Sequence, residues 1–280
     1  MKKITFEEIA ERVEQALIEI NIVASEVLRQ KMLQVLTNEG EKVAQEMVSQ
    51  ILENYVVAEE NRLPLCQDTG MVQVEVKIGQ AVKIEGGSLK EAIAEGIRRA
   101  YQKAYFRKSI IADPFFGVNT RDNTPPVYFF DFEGEEELEI NLLVKGGGCD
   151  NISSLGVLNP GSSVEDLERF VLRELDRKAA QACPPLVVGI GVGGNAAYAM
   201  YLASRALSRP LGSKNPDPRY AQVEERMKEK INLLGIGPQG VGGKNTCLEV
   251  RIEVYPCHIA SFPVGLVASC HVFRQKTLRW

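Results

Sequence analysis

The chain reads as a mixed α/β protein with a helical N-terminal part. Three observations predict this class. Apolar residues recur at helical spacing through the first sixty positions, they alternate strictly from Met71 to Ile78, and after Gly148 helical stretches alternate with short strand-like runs. Thr5 and Glu8 can form a capping box, and Ile9, Val13, Leu17 and Ile20 follow on one helical face. Asn38-Glu39-Gly40 stops one helix and starts another, so residues 1–60 form a helical segment. Val72, Val74, Val76 and Ile78 then share one face against Gln73, Glu75 and Lys77, the pattern of a half-buried strand. An alanine-rich helix is expected over positions 88–106, followed by a loop in which Pro114, Gly117, Pro125 and Pro126 deny regular structure. Two β-rich runs cover 127–132 and 138–144.

Gly146-Gly147-Gly148 demands a loop, and Ser162 with Glu165 marks the entry to a helix ending near Gln181. Positions 186–190 read as a short buried strand, 195–207 and 219–233 as helices, and 247–255 as a strand. No repeat, low-complexity tract or linker divides the sequence, so one compact domain is expected over 1–280. Its 280 residues, 45% hydrophobic and 25% charged, are enough to bury a sizeable core.

Acidic residues outnumber basic ones, 37 to 33, and the formal charge of −4 removes the electrostatic footprint of a nucleic-acid binder. Glu7 and Glu8 interrupt the stretch where a signal peptide would be apolar, and no run of apolar residues is long enough to cross a bilayer. A soluble, cytoplasmic protein without membrane partners is therefore expected. In that compartment six cysteines point to metal or redox chemistry rather than to disulfides, and with only His258 and His271 available a metal should prefer thiolates.

Position separates candidate ligands from core fillers. Cys66 lies in the polar segment Leu65-Cys66-Gln67-Asp68-Thr69-Gly70, where thiolate and carboxylate could both face a cleft. Cys183 precedes Pro184-Pro185, and Cys270 follows an apolar run and precedes His271. Cys149 is a fourth loop cysteine, while Cys247 and Cys257 sit in or beside strand-like sequence as ordinary buried thiols. No CxxC pair is present, so a site made from these cysteines must be assembled by the fold.

Gly189-Ile190-Gly191-Val192-Gly193-Gly194 admits a phosphate cradle, but the spacing is not GxGxxG and no GK(S/T) follows. Tight strand-to-helix packing is the stronger reading. The Gly235–Gly243 run, ending at Lys244, fits a flexible surface loop equally well. Arg107 is either a solvated cation at a helix C-terminus or a grip for a carboxylate. His258 is either a hydrogen-bonded structural residue or a group that handles protons.

In four segments, taken in order, the chain resembles the α subunit of the two-subunit, iron–sulfur class I fumarate hydratases, a group that includes L-tartrate dehydratase α subunits. They are Leu65-Cys66-Gln67-Asp68-Thr69-Gly70, Lys145-Gly146-Gly147-Gly148, Ala182-Cys183-Pro184-Pro185, and Tyr255 to Cys270 with its HIASFP core. The resemblance implies that Cys66, Cys183 and Cys270 hold a 4Fe-4S cluster with one iron open as a Lewis acid. It also places Gln67, Arg107 and Gly147 on the substrate, with Asp68 and His258 catalytic. It implies a hydro-lyase acting on fumarate, or on a close C4 dicarboxylate such as tartrate. Cys149 stands where the family often carries Ser. Single-chain members add a C-terminal region bearing a threonine base and further cationic contacts, so a β subunit is expected to supply these in a hetero-oligomer. The alternative is a non-catalytic scaffold in which the glycine loops hold an anion and the cysteines are packing residues.

Overall fold

A computed structural model describes all 280 residues. In chain order the elements are β1 (Lys2–Thr5), α1 (Phe6–Ile22), α2 (Glu26–Asn38), α3 (Lys42–Asn61), β2 (Met71–Ile78), β3 (Val82–Glu85) and α4 (Leu89–Lys103). Then come β4 (Val127–Phe132), β5 (Leu138–Lys145), α5 (Gly147–Asn151), β6 (Ser154–Leu158), α6 (Val164–Lys178) and β7 (Leu186–Gly194). The chain continues through α7 (Ala196–Ser208), α8 (Pro218–Asn232), β8 (Cys247–Cys257), β9 (Phe262–Ser269) and β10 (Arg274–Arg279). These elements fall into two packing units, each with its own apolar core. The first comprises residues 1–24, 55–146 and 274–280, and the second 25–54 and 147–273. No linker marks the division, because the chain crosses it four times and one crossing falls inside α3.

In the first unit the Thr5 hydroxyl accepts from the Glu8 amide at 3.2 Å and opens α1, whose Ile9, Val13, Leu17 and Ile20 are buried. Helix α4 crosses α1 closely at Gly96, where a Cβ would lie 2.6 Å from the Ala10 carbonyl oxygen. Both helices share a core with a sheet of order β10-β5-β2-β4. The alternation read in β2 puts Val72, Val74 and Val76 on the buried face, opposite Val144, Leu142 and Ile140 of β5. The N-terminal segment is not helical throughout. Strand β1 precedes α1 and pairs in parallel with β3, Ile4 opposite Ile84. Four-residue strands are too short to show a period in sequence.

The second unit is built on a sheet of order β6-β9-β7-β8. Strand β7 runs four residues beyond the expected end, so the glycine run is largely strand and not a phosphate loop. A Cβ at Gly189 would meet the Ala203 carbonyl oxygen at 2.2 Å, one at Gly191 the Ala199 oxygen at 2.1 Å, and one at Gly265 the same oxygen at 2.4 Å. These glycines let the α7 backbone lie directly on β7 and β9. On the opposite face Val188, Ile190, Val250, Ile252, Val264 and Leu266 share a core with Leu167, Phe170 and Val171 of α6 and Met227 and Ile231 of α8. The α6 capping box is Ser163 with Asp166, one residue later than the sequence suggests. No helix is long and apolar enough to cross a membrane.

The second glycine loop does cradle an anion, and the anion is the protein's own. Glu39, 3% exposed, accepts from the amides of Gly40 and Lys244 at 3.0 Å and from Asn245 Nδ2 at 2.9 Å. A Cβ at Gly243 would lie 2.9 Å from the same carboxylate. Burial pushes this carboxyl up, but the hydrogen bonds from Asn245, Lys244 and Gly40 outweigh it and hold the group below its ordinary value. Glu39→Gln should therefore cost about 1–3 kcal/mol at pH 7 in urea unfolding. The carboxylate's contribution is complete above its unfolded value of about 4.3 and fades as pH falls through the lower folded value, so the gap between wild type and variant should narrow progressively in acid.

Candidate active site

The Cys66 segment links α3 to β2 in the first unit. Its backbone is fixed by partners distant in sequence. The Leu65 amide donates to the Asn21 carbonyl at 2.8 Å, and Arg274 Nη1 donates to the Asp68 carbonyl at 3.0 Å. The Tyr101 hydroxyl donates to the Thr69 carbonyl, and Asn123 Nδ2 donates to the Gly70 carbonyl at 3.0 Å. Burial pushes the Tyr101 phenol far above its ordinary value and keeps it a donor. Gly70 has φ +69°, and a Cβ there would lie 2.5 Å from the Lys145 carbonyl oxygen. The Asp68 carboxylate receives the Gly70 amide at 2.9 Å through Oδ1. Its Oδ2 would lie 2.8 Å from a Cβ on Gly146, so the first glycine of the triplet makes room for this carboxylate. Cys66 and Asp68 are half-buried and Gln67 is exposed.

Arg107 belongs to the same corner, since its carbonyl accepts from the Thr69 hydroxyl at 2.7 Å. Helix α4 ends at Lys103, so the exposed Arg107 side chain stands outside the last helical turn. The default role of a cation facing a helix C-terminus does not fit it. The loop beyond is irregular yet ordered. Asp113 Oδ1 accepts from the amides of Phe115 and Phe116 at 2.7 and 3.1 Å, Ile111 bridges Asn119, and the fully buried Asn123 closes the base.

In the second unit Cys183 and Cys270 come together at one end of the sheet. The His271 amide lies 3.5 Å from the Cys183 carbonyl oxygen, and Val187 pairs with Ser269 immediately inside them. Cys183 is exposed and holds φ +52°, a left-handed conformation that costs a side-chain-bearing residue on the order of 1 kcal/mol. Cys270 is half-buried. Helix α5, which Gly147 opens, lies against the same turn, with Cys149 Sγ 3.8 Å from the Ala182 carbonyl oxygen. Cys149 is buried, as is Cys247, whose thiol burial pushes up to about 12. Cys257, expected to be buried, is exposed, because the last four residues of β8 are all exposed.

His258 lies elsewhere. It sits in the turn between β8 and β9, exposed, its Nδ1 accepting from the Ala260 amide at 3.1 Å. The eight residues of β9 separate that turn from Cys270, roughly 27 Å at about 3.4 Å per residue. The candidate residues thus form three groups. Cys66, Gln67, Asp68 and Arg107 surround one corner of the first unit. Gly147, Cys183 and Cys270 share one end of the second, and His258 stands at that unit's other end. In neither unit do three cysteine, histidine or acidic side chains converge as a ready metal site. Asn21, Tyr101, Asn123 and Arg274, which shape the Cys66 corner, were not singled out from sequence, because each acts through hydrogen bonds to residues distant in the chain.

The pattern of the fumarate hydratase (Fumerase) family matches residues 10–279. A putative L(+)-tartrate dehydratase subunit alpha of Methanocaldococcus jannaschii is 38% identical over 246 residues, 86% of this chain and 86% of that protein. The L(+)-tartrate dehydratase subunit alpha of Escherichia coli is 34% identical over 219 residues, 77% and 72% of the two chains. Fold and similarity together make this chain a hydro-lyase. It belongs to the fumarate hydratase family.

The exposures order thiol reactivity. Limited alkylation of the native chain, followed by mass spectrometry, should label Cys183 and Cys257 first and Cys66 and Cys270 more slowly. Cys149 and Cys247 should react only on unfolding.

Proposed function

We propose that this chain is the cytoplasmic α subunit of an iron–sulfur hydro-lyase that reversibly hydrates fumarate to malate, with a 4Fe-4S cluster held by Cys66, Cys183 and Cys270. The observation that carries the reading is the meeting of Cys183 and Cys270 at one sheet end, together with a rigid Cys66-Gln67-Asp68 corner. The donor set suits such a cluster. Its three thiols are half-buried or exposed, whereas a thiol as deeply buried as Cys247 resists ionisation. When bound, the cluster supplies an electrophilic iron that helps a hydroxyl group depart.

The chain's own residues bind and orient. Arg107, free of the helix end, offers a planar fork to one carboxylate, Gln67 presents an amide beside it, and Gly147 offers backbone to a further oxygen. Asp68 accepts or returns a proton in this reading, which the orientation of its carboxylate by the Gly70 amide supports. His258, a strand length from Cys183 and Cys270, can serve such a site only in another subunit. A β subunit supplies the remaining groups, as the names of the α-subunit relatives suggest. L(+)-tartrate dehydration is the second reading, favoured by those same names.

Anaerobic reconstitution with and without the β subunit, assayed on fumarate and on L(+)-tartrate, tests the proposal. Turnover should need both chains, and full activity of this chain by itself would refute the two-subunit reading. Cys66→Ser, Cys183→Ser and Cys270→Ser should each lose iron and activity, while Cys247→Ser and Cys257→Ser keep both. A colourless, iron-free wild-type protein after reconstitution would favour the scaffold reading.

Arg107→Lys keeps the charge but loses the fork, and should lower kcat/KM at least about tenfold, roughly 1.4 kcal/mol. Unchanged kinetics would remove Arg107 from the site.

A further inference from the structure

Arg274 is 2% exposed, yet its two hydrogen bonds go to neutral oxygens. Both come from Nη1, which donates to Asn21 Oδ1 at 2.9 Å and to the Asp68 carbonyl at 3.0 Å. Its Nε is buried without a hydrogen-bond partner. A guanidinium is costly to bury, and packing in β10 would be met as well by an apolar side chain. What the cation does here is hold one backbone oxygen of the corner that carries Cys66 and Asp68.

The wiring around it is specific. Asn21 is fully buried and spends its Nδ2 on the Leu17 carbonyl, which fixes the orientation of the Oδ1 that Arg274 uses. The carbonyl of the same Asn21 receives the Leu65 amide, so the residue before Cys66 and the carbonyl two residues after it are tied to one point on α1. Arg274 also lies four residues beyond Cys270 in the chain. We propose that Arg274 is a positioning residue that sets the backbone of the Cys66–Asp68 segment. The functional meaning of that positioning rests on the proposed roles of Cys66 and Asp68.

Lysine could keep the charge and one contact but not the paired geometry at a single planar nitrogen. Arg274→Met keeps the bulk and removes both contacts.

The test uses limited alkylation of the cluster-free chain, reading the rate at Cys66 relative to Cys183 in wild type, Arg274→Met and Arg274→Lys. Ile9→Ala is the control for general destabilisation, because Ile9 lies fully buried twelve residues up α1 from Asn21, roughly 18 Å away. The ratio should rise about tenfold in Arg274→Met as the corner opens, and by less in Arg274→Lys. It should stay at the wild-type value in Ile9→Ala. An unchanged ratio in Arg274→Met, or an equal rise in Ile9→Ala, overturns the proposal. If Arg274→Met does not fold, Arg274→Lys decides, and equality with wild type overturns it.

In the reconstituted two-subunit enzyme, Arg274→Lys should lower kcat more than it raises KM, because Asp68 is misplaced while Arg107 still binds. An increase in KM with kcat unchanged counts against the positioning role. The alkylation ratio needs neither iron nor turnover, so its outcome stands apart from that of the hydro-lyase reading.

Discussion

Three consecutive carbonyl oxygens, on Asp68, Thr69 and Gly70, lie just ahead of β2, and each accepts a hydrogen bond from a buried side chain. Arg274 comes from β10, Tyr101 from α4 and Asn123 from the loop before β4. Left unmade, each would cost about 1–3 kcal/mol. Satisfying all three requires α4, that loop and β10 to be in place together. The first unit therefore has a polar keystone inside an otherwise apolar core, and the residues most exposed to chemistry stand directly on it. Cys66, Gln67 and Asp68 can be presented on irregular backbone without being loose, since the rigidity comes from the side chains beneath them.

The second unit reaches the same end by the opposite means. Its sheet and α7 touch backbone to backbone across Gly189, Gly191 and Gly265, where any Cβ would collide. Close contact of this kind fixes the height of the helix above the sheet as firmly as hydrogen bonds fix the corner. Cys183 and Cys270 hang from the end of that slab, one in a strained left-handed conformation and the other just past a strand. The His258 turn stands at the far end of the same slab.

Much of the architecture could be read from sequence wherever a period ran for two turns or more. The bounds of β4 match the reading, and β2 and α1 follow from their alternation and their cap. Failures were short or non-local. β1 and β3 have four residues each, and β7 runs four residues past its expected end, although the tight strand-to-helix packing expected of its glycines is present. The acid-binding character of the Gly235–Gly243 loop was physically real, but its ligand, Glu39, lies some two hundred residues earlier and nothing local names it. The cysteine segments stood out because irregular, Pro- or Gly-marked sequence is a poor place for a core thiol. Cys257 shows the limit of that rule, since it lies within a strand and is nevertheless exposed. Tyr101, Asn123 and Arg274 carried no signal, for each looks like an ordinary residue of its own helix, loop or strand.

The interleaving of the two units sets an order on how the protein can be made. A ribosome delivers α1, α4 and β5 well before residues 274–279, so the first unit waits with one edge of its sheet unpaired and the Asp68 carbonyl without its guanidinium. All of the second unit after α3 is synthesised during that interval. The Cys66 corner is thus closed by nearly the last residues of this sequence to emerge, and both later cysteines are already present by then. Until β10 emerges, the Asp68 carbonyl and the outer edge of β5 lack the partners they have in the folded unit.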